Sequence, residues 1–166
     1  MGIGIHFGTT MIGCLGVEER LDATVVGDTV NLSARLESIT KQLKVQTLVS
    51  RSCLAADLDP STAPLCRYLG EVNVAGKKVG TDVFELLEDP NKLHAEGETE
   101  LAAQVESKLA TRDRLGEALQ LSKAGEIAKS IAILDALIVE NPYDLPLTVL
   151  RGKVEAGMAF EKMPKV

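Results

Sequence analysis

The sequence predicts an α+β chain: a sheet-and-helix half over residues 1–88, a linker over 89–97, and an all-α helical tail over 98–166. Three observations predict it. Residues 1–88 are rich in Gly, Val and Thr and fall into short alternating segments. Residues 98–162 are rich in Ala, Leu, Glu and Lys at helical spacing. Between them, Glu88-Asp89-Pro90-Asn91 is a turn-prone string.

The first half reads as strand, strand, helix, strand, short helix and a closing strand pair. Ile3, Ile5 and Phe7 alternate with Gly4, His6 and Gly8, which predicts a strand with one crowded face. Asp28 or Thr29 can cap a helix running to about Leu43. Its residues Leu32, Leu36, Ile39 and Leu43 make an apolar stripe at helical spacing. Thr47–Ser50 reads as a short strand. Leu69–Val74 and Asp82–Leu87 bracket Ala75-Gly76-Lys77-Lys78-Val79-Gly80, a hairpin with a basic, glycine-bounded turn.

The tail carries helical patterns near Glu98–Ala124, Ile127–Glu140 and Leu145–Ala159. Gly125 separates the first two, and Asn141-Pro142 ends the second. Two helices, a glycine turn and a later proline resemble one degenerate tetratricopeptide-type repeat. A generic helical hairpin accounts for the pattern equally well.

Composition narrows the function. Apolar residues make up 45% of the 166, and with no Trp, two Tyr and three Phe the core must be aliphatic. A net charge of −6 argues against nucleic acid, whose phosphates need a basic stripe. It leaves room for a nucleotide, which needs only a few local cations. Cys14, Cys53 and Cys66 match no zinc spacing and predict buried or half-buried thiols in a reducing compartment. Neither a secretory leader nor a membrane-spanning run is visible, so the expected location is cytoplasmic.

The residues suited to chemistry cluster around the predicted helix. Asn31 and Arg35 are one turn apart and share a face, about 90° from the apolar stripe at 100° per residue. From that flank an amide can bond a ribose oxygen and a guanidinium can fork onto anionic oxygens. The plainer alternative is that Asn31 supports the helix start and Arg35 pairs with Glu37 or Glu19. Lys77, in its glycine-bounded turn, can reach a polyphosphate as a point charge. The plainer alternative is a solvated turn lysine. Gly2, Gly4 and Gly8 do not fit a G-x-G-x-x-G loop. His6 reads as a packed or hydrogen-bonded strand residue and His94 as an exposed linker residue, so no Ser/His/Asp set can be built.

Five strings then point to a family: Gly4-Ile5-His6-Phe7-Gly8, Gly13-Cys14-Leu15-Gly16, Thr24-Val25-Val26-Gly27-Asp28-Thr29-Val30-Asn31-Leu32-Ser33-Ala34-Arg35-Leu36-Glu37, Val74-Ala75-Gly76-Lys77 and Val83-Phe84-Glu85-Leu86. In this order, over about residues 2–87, the chain resembles the C-terminal half of class III adenylate/guanylate cyclase catalytic domains. The resemblance implies part of a ferredoxin-like fold that works as a dimer, with active sites at the interface. It implies that Asn31 orients the ribose, Arg35 stabilises charge on the α-phosphate, Lys77 holds the terminal phosphates and Thr24 meets the base. Thr both donates and accepts, which suits an adenine edge and favours ATP over GTP.

The resemblance also implies Mg or Mn, held by two aspartates that lie ahead of the segment matched here. Asp22, Asp28 and Asp57 are not in those motifs. Because phosphoryl transfer relies on metal ions, the expectation is a chain that is inactive alone. It also needs a homodimeric or complementing cyclase partner, and it exposes sheet edges that lower its stability. The readings are a cyclase fragment, a non-catalytic partner subunit, or an interaction module working through the helical tail.

Overall fold

The computed structural model describes residues 1–17, 20–55, 63–72 and 80–157. Three short strands precede the first helix, one more than expected: β1 (Ile3–Ile5), β2 (Met11–Val17) and β3 (Arg20–Val26). Then follow α1 (Asp28–Leu43), β4 (Thr47–Ser50), α2 (Arg51–Ala55), a 3-10 turn (Ala63–Leu65), β5 (Cys66–Val72) and β6 (Thr81–Leu86). Five helices complete the chain: α3 (Pro90–Ala95), α4 (Thr99–Ala110), α5 (Arg112–Lys123), α6 (Ile127–Glu140) and α7 (Leu145–Glu155).

The main sheet runs β1-β4-β6-β5. Strand β1 lies parallel to β4, and the other pairs are antiparallel, with a register shift between Tyr68 and Gly70. Strands β2 and β3 form a separate two-stranded hairpin, Ile12 opposite Val25 and Gly13 opposite Thr24.

The crowded face of β1 is real and has a purpose. A Cβ at Gly4 would sit 2.3 Å from the Ser33 carbonyl and 2.4 Å from the Glu37 nitrogen. Only glycine lets α1 lie this close to the strand. The helix starts as the spacing predicts, but its N-cap is Gly27, at φ 154°, and no side chain caps it. Thr29, a candidate cap, instead donates its hydroxyl to the Thr9 carbonyl at 2.7 Å. The C-terminus closes with Lys44 in the left-handed region at φ 59°.

The linker expected over 89–97 is largely helical. Asp89 accepts from the Asn91 N–H at 2.9 Å, Pro90 occupies the first turn and Leu93 is buried. Those are the ordinary devices of a helix start. The single helix expected over 98–124 divides at Thr111. Its two parts serve different cores. Ala102 and Val105 of α4 pack with Leu87 and Leu93, whereas Leu115, Ala118 and Leu119 of α5 enter the main core.

That main core joins both halves of the chain. Leu32, Leu36, Ile39 and Leu43 of α1 share it with Leu48, Leu69, Val72 and Val83 of the sheet and with Leu134, Leu137, Leu147, Leu150 and Val154 of the tail. Helices α5 and α6 form a hairpin across Gly125, which takes φ +84°. They approach closely at Ser130, which is fully buried and donates to the Ala118 carbonyl at 2.7 Å. Helix α5 rests on β5 and α7 on α1. Among the described residues no helix is long and apolar enough to cross a membrane.

Candidate active-site face

Helix α1 carries the centre of the candidate site. Its apolar stripe faces the core, and one turn of its flank presents Asn31, exposed, and Arg35, half-buried. Among the described residues neither side chain makes a hydrogen bond or an ion pair. The carboxylate expected to engage Arg35 is otherwise occupied: Glu37 pairs with Lys41 at 3.4 Å. Glu19, the other candidate partner, lies outside the described residues.

Thr24 is placed elsewhere, half-buried on β3 opposite Gly13, on the strand that leads through Gly27 into α1. The structure therefore brings Asn31 and Arg35 together on one helix and leaves Thr24 on the adjoining hairpin. Lys77 and its turn lie outside the described residues. The strands that carry that turn are β5 and β6. Near their turn-proximal ends Asp82 accepts from Arg51 Nε at 2.7 Å and from the Tyr68 hydroxyl at 3.0 Å, while Lys123 Nζ of α5 donates to Glu71 at 2.6 Å. Burial pushes the Tyr68 hydroxyl up, and the Asp82 charge pushes it further the same way.

Sequence reasoning missed the most heavily buried charges among the described residues. Arg67, 1% exposed, donates Nε to Glu85 at 2.6 Å and forks onto Asp144 at 2.5 and 2.7 Å. Lys108 of α4 lies 3.6 Å from Glu85 and 3.8 Å from Asp144. Burial acts to lower the Arg67 pKa, but the bonds and charges of Asp144 and Glu85 outweigh it and raise it above its ordinary value. An arginine set among the apolar residues Leu65, Cys66, Leu69 and Val72 was the available signal.

His6 Nδ1 lies 2.8 Å from Ser50 Oγ and 3.0 Å from Ser52 Oγ at the end of β1 and β4. His94 is exposed and meets Glu106 at 3.1 Å. No disulfide joins the cysteines. Cys66 is buried and Cys53 half-buried as expected, but Cys14 is exposed, because the described residues lay no layer over the β2–β3 hairpin. Among the described residues no group of three or more His, Cys, Asp or Glu side chains could hold a metal ion. The described residues thus do not fit a metal.

The first half of the chain is thus an α+β unit with an amide and a guanidinium side by side on the flank of its packed helix. Residues 1–87 match the family model described as the adenylate and guanylate cyclase catalytic domain, and the chain belongs to that family. It is 36% identical over 86 residues to an adenylate cyclase of Anabaena cylindrica, covering 52% of this chain and 17% of that protein. It is 31% identical over 87 residues to the terminal-differentiation-specific adenylate cyclase of Dictyostelium discoideum, covering 52% of this chain and 4% of that protein. It is 36% identical over 84 residues to adenylate cyclase 1 of Rhizobium meliloti (strain 1021), covering 51% of this chain and 12% of that protein. The chain thus spans less than a fifth of the length of these relatives. A bacterial light-regulated adenylyl cyclase structure aligns with 65% of this chain and 29% of its own at 24% identity and a TM-score of 0.43.

Proposed function

We propose that residues 1–88 form half of an adenylate cyclase active site, which converts ATP to cyclic AMP and pyrophosphate once a second chain or segment supplies the metal-holding carboxylates. The observation that carries this reading is the Asn31/Arg35 face. The two side chains stand one turn apart on a helix fixed by its own core, and neither is engaged by a described neighbour. A guanidinium held in that way can stabilise charge that develops on the α-phosphate as the ribose 3′-hydroxyl attacks. Asn31 would hold the ribose so that this oxygen is in line. Thr24 would meet the adenine, and Lys77 the terminal phosphates. Mg or Mn, once bound by the complementing carboxylates, would supply the Lewis acid that draws charge from the phosphates.

The partner in this reading is a cyclase chain that carries the metal-holding carboxylates, and the identities of 31–36% to adenylate cyclases favour ATP over GTP. The test is direct. The purified chain should form no cyclic AMP from Mn-ATP, and product should appear on mixing with an intact homologue. Arg35→Ala should abolish the rescued activity and leave the circular dichroism spectrum and unfolding midpoint unchanged, since its side chain is outside the core. Robust product from the chain alone, or unfolding of the Arg35 variant, would refute the assignment.

A further inference from the structure

We infer that the buried contact between Arg67 and Asp144 positions helix α1, so that the helical tail sets the geometry of the proposed catalytic face. The inference rests on the cyclase reading above, but its structural half can be tested apart from it.

The argument follows the packing. Helix α1 has the sheet on one side, held close by Gly2 and Gly4. On another side it is backed by α7, through a core that includes Leu147, Leu150 and Val154. Helix α7 begins at Leu145, directly after Asp144. Asp144 is 2% exposed and is gripped by both terminal nitrogens of Arg67. Arg67 is in turn fixed across the strand pair by Glu85, its partner in register. The first residue before α7 is thus tied to the sheet by a forked bond, and α7 presses on the helix that carries Asn31 and Arg35. A fork fixes orientation as well as distance, which a single lysine contact would not. Asp144 and α7 lie outside the residues that match the cyclase family model. Arg67 and Asp144 are therefore positioning residues and touch no substrate.

Asp144→Asn tests this in the full chain, because it keeps the side-chain shape and removes one of the two accepting charges. By hydrogen exchange, amides of α1 between Leu32 and Leu43 should exchange about tenfold faster, while those of the β2–β3 hairpin stay unchanged. In mixtures with a homologue that carries the metal-holding carboxylates but has its own equivalent of Arg35 replaced by Ala, kcat should fall about tenfold. That kcat is normalised to bound N-methylanthraniloyl-ATP, and the KM for ATP should move less than about threefold. If Asp144→Asn does not fold, Arg67→Lys receives the same measurements, since it keeps the charge and loses the fork. Unchanged exchange in α1 of a folded variant overturns the inference. So does a loss that disappears once activity is expressed per bound nucleotide. No product from the unmodified chain in the mixture refutes the cyclase reading instead, and the exchange measurement then still decides the positioning role.

Discussion

Two regions of this chain handle apolar surface in opposite ways. Beside β5 and β6 the tail lays α5 on β5 and joins their core, and the interior is closed enough to hold Arg67, Glu85 and Asp144, with Lys108 at its margin. Over β2 and β3 no described element provides such a layer. Met11 and Ile12 stand 72% and 81% exposed, with Val25 and Val26 opposite them also exposed. A two-stranded hairpin alone is marginal in water, and strand β1 at the sheet edge likewise leaves Ile3 and Ile5 exposed. The difference teaches that the sequence encodes apolar strands in both places, while the packing available to each decides which becomes core.

The largest expected effect comes from breaking the covered side. Arg67→Ala leaves Glu85 and Asp144 buried with only Lys108 nearby, and an uncompensated buried charge costs about 3–5 kcal/mol. Urea unfolding should show the unfolding free energy fall by that amount, and a change under about 1 kcal/mol would show the network to be dispensable.

A smaller effect contrasts two cysteines. Burial, reinforced by Cys53 and opposed by Arg112, pushes the Cys66 thiol from 9.0 up to about 11. A folded-state pKa above the unfolded value means that the native state holds the proton longer. Its stabilising contribution is complete below about pH 9 and is lost as pH rises toward 11. The unfolding free energy should therefore decline over that window, and Cys66→Ala should flatten the decline relative to the parent. Iodoacetamide at neutral pH should modify exposed Cys14 well before Cys66, and the reverse order would contradict the assigned burial.

The smallest effect belongs to the uncovered side. Ile12→Thr removes little buried area, so the stability of the isolated chain should shift by no more than about 0.5 kcal/mol. A larger loss in the same denaturation experiment would mean that the hairpin is already packed against something in solution.

Much of the fold was legible. The glycines of β1, the stripe Leu32-Leu36-Ile39-Leu43, the short strand at Thr47–Ser50 and the β5–β6 pairing all follow from local spacing and turn chemistry. Asn31 and Arg35 were legible for the same reason, since residues one turn apart on a helix share a face. The helix over Pro90–Ala95 was not, because its capping aspartate and first-turn proline also spell a turn. The break at Thr111 was not, because it marks a change of packing partner rather than a weak helix former.

By itself, then, the sequence determined most of the elements, the cyclase family of residues 1–87 and the helix face that bears Asn31 and Arg35. Only the tertiary structure decided that the tail closes the same core as the sheet and ties itself there through Arg67, Glu85 and Asp144. The physical reason is range. Helix periodicity and turn preference act over a few residues, whereas Arg67 meets a carboxylate 77 positions away, and no local pattern in a single sequence records that encounter.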